Sequence, residues 1–287
     1  MELSMSKIIL QNIMKHKTIF TLFLSLFLFG CFSLDDNLFN ATKLTSYNLS
    51  TAIIPEAKRT QVILNSQGKK IYGYFVESNG EKPNYTILYF HGNKDHIQFY
   101  WDRVELFYKM GYNIFIIDYQ GFGMSEGTSS EEALYSDAKV ALQYIRSRGN
   151  IADTSIALYG FSLGCAAAIH LAANEFTPRV LIAEAPFASA TALVQSGVVL
   201  DIPNSYVMDG EYNNAEKIKN VSVPLLLLHG ESDTFIDIDK NSKVIYENAN
   251  EPKKFIRIPN AGHSTIPSTL GDSLYKKIVT EFVESKK

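Results

Sequence analysis

Ser155-Ile-Ala-Leu-Tyr-Gly-Phe-Ser-Leu-Gly-Cys-Ala-Ala-Ala-Ile169 decides how the rest of the chain is read. Ser155–Tyr159 is a short apolar run of strand type, and the small residues after Gly164 suit a helix packed close to a sheet. Between them stands Gly160-Phe161-Ser162-Leu163-Gly164. A strand that turns directly into a helix here forces the serine into a strained backbone conformation, and side chains two positions either side would strike neighbouring backbone. Both positions are glycine. The turn lifts the Ser162 hydroxyl to the start of a helix, where backbone dipoles favour negative charge. Ser162 is therefore the candidate nucleophile.

On either side the same alternation continues. Thr60–Asn65 and Ile71–Val76 flank Gly68 and read as a hairpin. Tyr85–Phe90, Asn113–Ile117, Ser155–Tyr159, Val180–Ala183, Pro224–Leu228 and Lys254–Ile258 are nearly continuous apolar runs. Such runs indicate strands buried on both faces of a parallel sheet. Leu134, Ala138, Ala141, Leu142 and Ile145 repeat at helical spacing, with Ser129 and Glu132 placed as a capping box. Leu274, Ile278 and Phe282 predict a last amphipathic helix. Regular β-α-β alternation implies an open doubly wound sheet whose parallel strand ends share one edge, where ligands bind.

The residues just past each strand therefore carry the functional signal. After Phe90 comes His91-Gly92-Asn93. A tetrahedral oxyanion needs two N–H donors held in advance, and the backbone amides of Leu163 and Asn93 are the candidates. His91 reads as a structural residue of this loop. After Leu228 comes His229-Gly230-Glu231-Ser232-Asp233, and after Ile258 comes Pro259-Asn260-Ala261-Gly262-His263. Asp233 is the candidate acid and His263 the candidate base, with Glu184 the rival acid and Asp237 a weaker one. Asp118 and Ser125 read as loop-fixing polar residues. Gly121-Phe-Gly123 lacks the third glycine of a cofactor loop.

Taken in order, Tyr-Phe-His-Gly-Asn (89–93), Asp-Tyr-x-Gly-x-Gly-x-Ser (118–125), Gly-Phe-Ser-Leu-Gly (160–164), His-Gly-x-x-Asp (229–233) and Ala-Gly-His (261–263) resemble the α/β-hydrolase superfamily. More narrowly they resemble its branch of lysophospholipase-like proteins, serine-aminopeptidase-like hydrolases and protein depalmitoylases. The resemblance covers residues 60–285. It implies an α/β fold with a mostly parallel eight-stranded sheet flanked by helices, and a short lid. It also implies a Ser162-Asp233-His263 triad, needing no cofactor or metal, that cleaves a small acyl ester or thioester. A peptidase or amidase uses the same triad, and a binding module can reuse the fold. The stretch between Ala188 and Pro224, about 35 residues, is too short for a separate cap domain. Within it Ala190–Leu200, with Tyr206, Val207 and Met208, is either a helix over the acyl pocket or a surface helix. Phe99, Tyr100 and Trp101 either line the pocket or pin a helix to the core.

The composition agrees with a single such domain. Of 287 residues 46 % are hydrophobic and 20 % charged, as in ordinary globular chains, and the net charge of −3 gives no reason to expect nucleic acid as a partner. Lys7, Lys15, His16 and Lys17 precede the apolar run Thr18–Phe29, too short to span a bilayer as a stable helix. Leu28-Phe29-Gly30-Cys31 resembles a bacterial lipobox, which implies a lipoprotein signal peptide over 1–30 and acylation of Cys31. A polar tether over 31–58 and a hydrolase domain over 59–287 complete the expected layout. The expected location is the cell envelope, outside the cytoplasm, on a membrane lipid anchor. Phe29 stands where a small residue is usual, and a plain signal peptide or an uncleaved anchor is the alternative. Cys165 reads as a small core residue.

Overall fold

A computed structural model describes residues 39–80, 85–149, 151–196 and 210–285. The expected signal peptide and Cys31 lie outside the described residues, as do the first part of the tether and residues 197–209 of the expected lid, which include Tyr206, Val207 and Met208.

Eight strands form one sheet: β1 (Arg59–Ser66), β2 (Lys69–Val76), β3 (Thr86–Phe90), β4 (Asn113–Ile117), β5 (Ile156–Phe161), β6 (Val180–Glu184), β7 (Leu225–Gly230) and β8 (Lys253–Ile258). Their spatial order is β8-β7-β6-β5-β3-β4-β2-β1. β2 runs antiparallel to both β1 and β4, and every other pairing is parallel. This is the expected mostly parallel α/β-hydrolase sheet, with its hairpin at one edge. Every residue of β3 to β7 is buried, whereas the edge strands β1 and β8 are partly exposed. Neighbouring strand residues serve opposite faces. Leu158 joins a core with the helices α2 (Glu131–Ser147) and α3 (Gly164–Asn174). Tyr159 joins a second core with α1 (Trp101–Lys109) and the C-terminal α7 (Ile266–Glu284). α4 (Ala190–Ser196), α5 (Asn214–Lys217) and α6 (Ser242–Asn248) complete the α-helices of the described residues. α4 sinks Ala190 and Leu193 into the first core, so the described part of the expected lid packs on the domain.

Three details differ from expectation. α2 is capped by Ser130, whose hydroxyl accepts the Ala133 N–H, while the Ser129 hydroxyl donates to the Gln120 carbonyl. On α7 the expected Ile278 and Phe282 pack, partly buried, on the second core beside the fully buried Tyr275, Val279 and Val283, whereas Leu274 is 46 % exposed. The helix is broken at Gly271 (φ 74°), ahead of this stretch. Finally, residues 39–58 are not a free tether but pack on the domain. Asn40–Ala41 pairs in parallel with Lys94–Asp95, the Tyr47 hydroxyl donates to Asp118, and Leu49 and Ile54 are buried.

Truncating a buried aliphatic side chain costs about 2–5 kcal/mol, and an exposed one less than about 0.5 kcal/mol. Ile54→Ala should therefore lower the stability in urea unfolding by an amount in the first range, and Leu274→Ala by one in the second.

Candidate active site

The turn after β5 holds Ser162 at φ 51°. A Cβ on Gly160 would lie 2.5 Å from the Cα of Cys165, and one on Gly164 would lie 2.1 Å from the Phe90 carbonyl oxygen. The Ser162 N–H donates to the Glu184 carbonyl (2.9 Å), tying the turn to the end of β6. Cys165 is buried with its Sγ 3.1 Å from the Gly160 carbonyl, the core role expected of it, and burial pushes its thiol pKa well up.

Three loops from three strand ends meet at this turn. Nε2 of His263 stands 3.0 Å from the Ser162 Oγ, and its Nδ1 stands 2.7 Å from Asp233 Oδ2. A carboxylate only accepts, so Nδ1 carries the proton and Nε2 is left to accept from the hydroxyl. Asp233 Oδ1 accepts the N–H groups of Phe235 (2.8 Å) and Ile236 (2.9 Å). Asp233 Oδ2 also accepts from Nε2 of the buried His229 (3.0 Å), whose Nδ1 lies 2.5 Å from the Ser242 hydroxyl. Burial by itself would raise the Asp233 pKa. Hydrogen bonds from His229 and His263, the charge of His263 and the Ile236 N–H outweigh it and hold the carboxyl far below the ordinary aspartate range. A depressed carboxyl pKa contributes stability that is complete above the unfolded value and is lost as pH falls through the folded value.

The rivals are placed elsewhere. Glu184 is fully buried toward α1 and α7, where Oε2 accepts from Arg103 (2.5 Å), Tyr275 (3.2 Å) and, at short range, Tyr159. Asp237 caps its own turn by accepting the Lys240 N–H. His91 is buried in its loop, with Nδ1 2.7 Å from the Gly92 carbonyl and Nε2 3.2 Å from Asp118. Asp118 also accepts the Ile97 N–H, and the Ser125 hydroxyl donates to the Asp118 carbonyl, so both fix their loops. Trp101 packs edge-on against Tyr74 in the core, whereas Phe99 and Tyr100 line a cavity of about 540 Å³. Asn93, Arg103, Phe161 and His263 line it too, and Leu163, at the start of α3, is buried. Among the described residues no group of His, Cys, Asp or Glu is placed to hold a metal ion, and no helix is long and apolar enough to cross a membrane.

Two features of the site were not read from the sequence. His229 is a second partner of Asp233, for which the four-residue spacing of His-Gly-x-x-Asp was the available signal. Arg103 pairs with Glu184 across 81 residues, and no local pattern announces it.

A sheet of this order, carrying a serine in a strained strand-to-helix turn within reach of a histidine, defines a class, and the chain belongs to the α/β-hydrolase superfamily. Its residues 81–205 match the family described as serine aminopeptidase, S33. Protein YfhR of Escherichia coli (strain K12) is 31 % identical over 225 residues, covering 76 % of this chain and 78 % of its own. The alpha/beta hydrolase domain-containing protein 17B of Homo sapiens is 30 % identical over 208 residues, covering 70 % of this chain and 67 % of its own. Among solved structures, the Pyrococcus furiosus esterase Pf2001 shares the fold at a TM-score of 0.71 and 20 % identity, over 86 % of this chain and 97 % of its own.

A hydrogen bond to a charged group contributes about 1.5–3 kcal/mol. His229→Ala should lower stability by that order at neutral pH. By raising the Asp233 pKa toward its ordinary range, it should also move acid unfolding, followed by circular dichroism, to higher pH.

Proposed function

We propose that this protein is a serine hydrolase that cleaves carboxylic ester or thioester bonds through an acyl-serine intermediate. The observation that carries the reading is the 3.0 Å approach of His263 Nε2 to the Ser162 hydroxyl, with Asp233 2.7 Å behind the imidazole. As Ser162 Oγ attacks the acyl carbon, His263 takes its proton. The negative charge that grows on the acyl oxygen is met by the Leu163 and Asn93 N–H groups. His263 then gives the proton to the departing alcohol or thiol, and a water, deprotonated by the same imidazole, releases the acid. Asp233 fixes the tautomer and stabilises the imidazolium, a role suited to a carboxyl that stays ionised. The cavity beside His263 has the volume of a small-ligand site. Cys31 is proposed as a lipid anchor of the cell envelope, which incorporation of labelled palmitate, lost in Cys31→Ala, would test.

An uncharged fluorophosphonate should label the wild type and not Ser162→Ala, while both give the same circular dichroism spectrum. Lack of labelling of folded wild type would end the reading. Asp233→Asn should lower kcat for a 4-nitrophenyl ester by about 10⁴, because the amide no longer enforces the productive tautomer.

A further inference from the structure

Arg103 has no part in the reaction above, yet it forms a wall of the cavity that His263 also lines. Its side chain is only 8 % exposed. All of its side-chain hydrogen bonds leave from Nη1, to Glu184 Oε2 (2.5 Å) and to the hydroxyls of Tyr159 and Tyr275 (3.2 Å each). Nε and Nη2, which form the opposite edge of the guanidinium, have no acceptor among the described residues. A guanidinium carries five donors, and those on Nε and Nη2, which are not sealed from solvent, are left to water or a ligand. The group is also placed. Its Cζ lies 5.5 Å from the ring centroid of Phe161, and the His263 ring lies 5.2 Å from the same ring. The guanidinium and the imidazole thus both contact the same aromatic ring. Lys94 stands exposed at the cavity rim with Nζ 5.0 Å over Phe99. Asp102 lines the cavity as well, but one of its oxygens is taken by the Arg103 backbone N–H (2.7 Å).

We propose that the cavity accepts an ester or thioester that carries a carboxylate, gripped by Nε and Nη2 of Arg103 with Lys94 at the mouth. The proposal rests on the serine-hydrolase reading of the same site. Two parallel N–H groups in a fixed plane match the two oxygens of a carboxylate, a match that lysine cannot reproduce. Glu184 holds the far side of the guanidinium, so the fork is oriented before the substrate arrives.

The test compares kcat/KM within two matched pairs: the 4-nitrophenyl monoester of adipic acid against 4-nitrophenyl heptanoate, and 3-carboxy-4-nitrophenyl butyrate against 4-nitrophenyl butyrate. The first pair puts the charge on the acyl half, the second on the leaving half. The wild type should prefer the charged member of at least one pair by about tenfold or more, as charge-assisted hydrogen bonds would give. Removing Arg103 alone would strand a buried Glu184, so the variant is Arg103→Met with Glu184→Gln, which replaces both members of the ion pair. Its preference ratio should fall to near one, and Arg103→Lys should lose most of the preference while keeping the charge. A wild-type ratio at or below one in both pairs overturns the proposal, as does an unchanged ratio in the double variant. Fluorophosphonate labelling of Ser162 without a charged-ester preference sinks the carboxylate alone. Absence of both labelling and turnover sinks the hydrolase reading beneath it.

Discussion

No carbon atom fits between Gly164 and the carbonyl of Phe90. That close approach lets the start of α3 sit on the end of β3, so that the serine turn and the Asn93 loop share one rim. From the same turn, backbone hydrogen bonds step across the sheet edge. Ser162 N–H reaches Glu184, Ala185 N–H reaches Leu228, and Glu231 N–H reaches Ile258. Ser232 N–H then reaches Ala261, joining the Asp233 loop to the His263 loop. The geometry at Ser162, Asp233 and His263 is thus carried by backbone contacts among strand ends, and the side chains need only span the last few ångströms.

The two buried carboxylates near this rim are treated in opposite ways. Each oxygen of Asp233 accepts two N–H donors, so its charge is fully answered inside the protein. Glu184 has Oε1 without a hydrogen-bond partner among the described residues, and all its contacts crowd onto Oε2. A fully satisfied polar cluster rigidifies its surroundings, while a partly satisfied one leaves capacity unused. That contrast separates a carboxylate that stabilises a neighbouring imidazole from one that orients an arginine.

The sequence made most of the central fold legible because strands buried on both faces have to be apolar along most of their length, and β3 to β7 are, with polar residues only at or next to their ends. The glycines around Ser162 were equally readable, since close backbone approach leaves one residue type. The candidate triad emerged from asking which residues stood just past each strand. Less visible were contacts that depend on phase or on distant partners. Serines at 129 and 130 both offer a cap, and only the docking of Ser129 on Gln120 decides between them. Leu274 and Tyr275 both suit an apolar stripe, and only Tyr275 is buried. Residues 39–58 look polar as a string, yet Tyr47, Leu49 and Ile54 are spaced so that each finds a different part of the domain. Arg103 reads as one more charge on a helix until the sheet brings Glu184 beneath it.

The short parallel pair between Asn40–Ala41 and Lys94–Asp95 has a mechanical meaning. The Asn40 N–H grips the carbonyl of Asn93, and Asn40 itself borders the cavity. The first described residues are therefore tied to the loop that lines the pocket. A pull on Asn40 would be felt by the peptide plane of Asn93, so the strand pair couples the start of the described chain to the shape of the pocket.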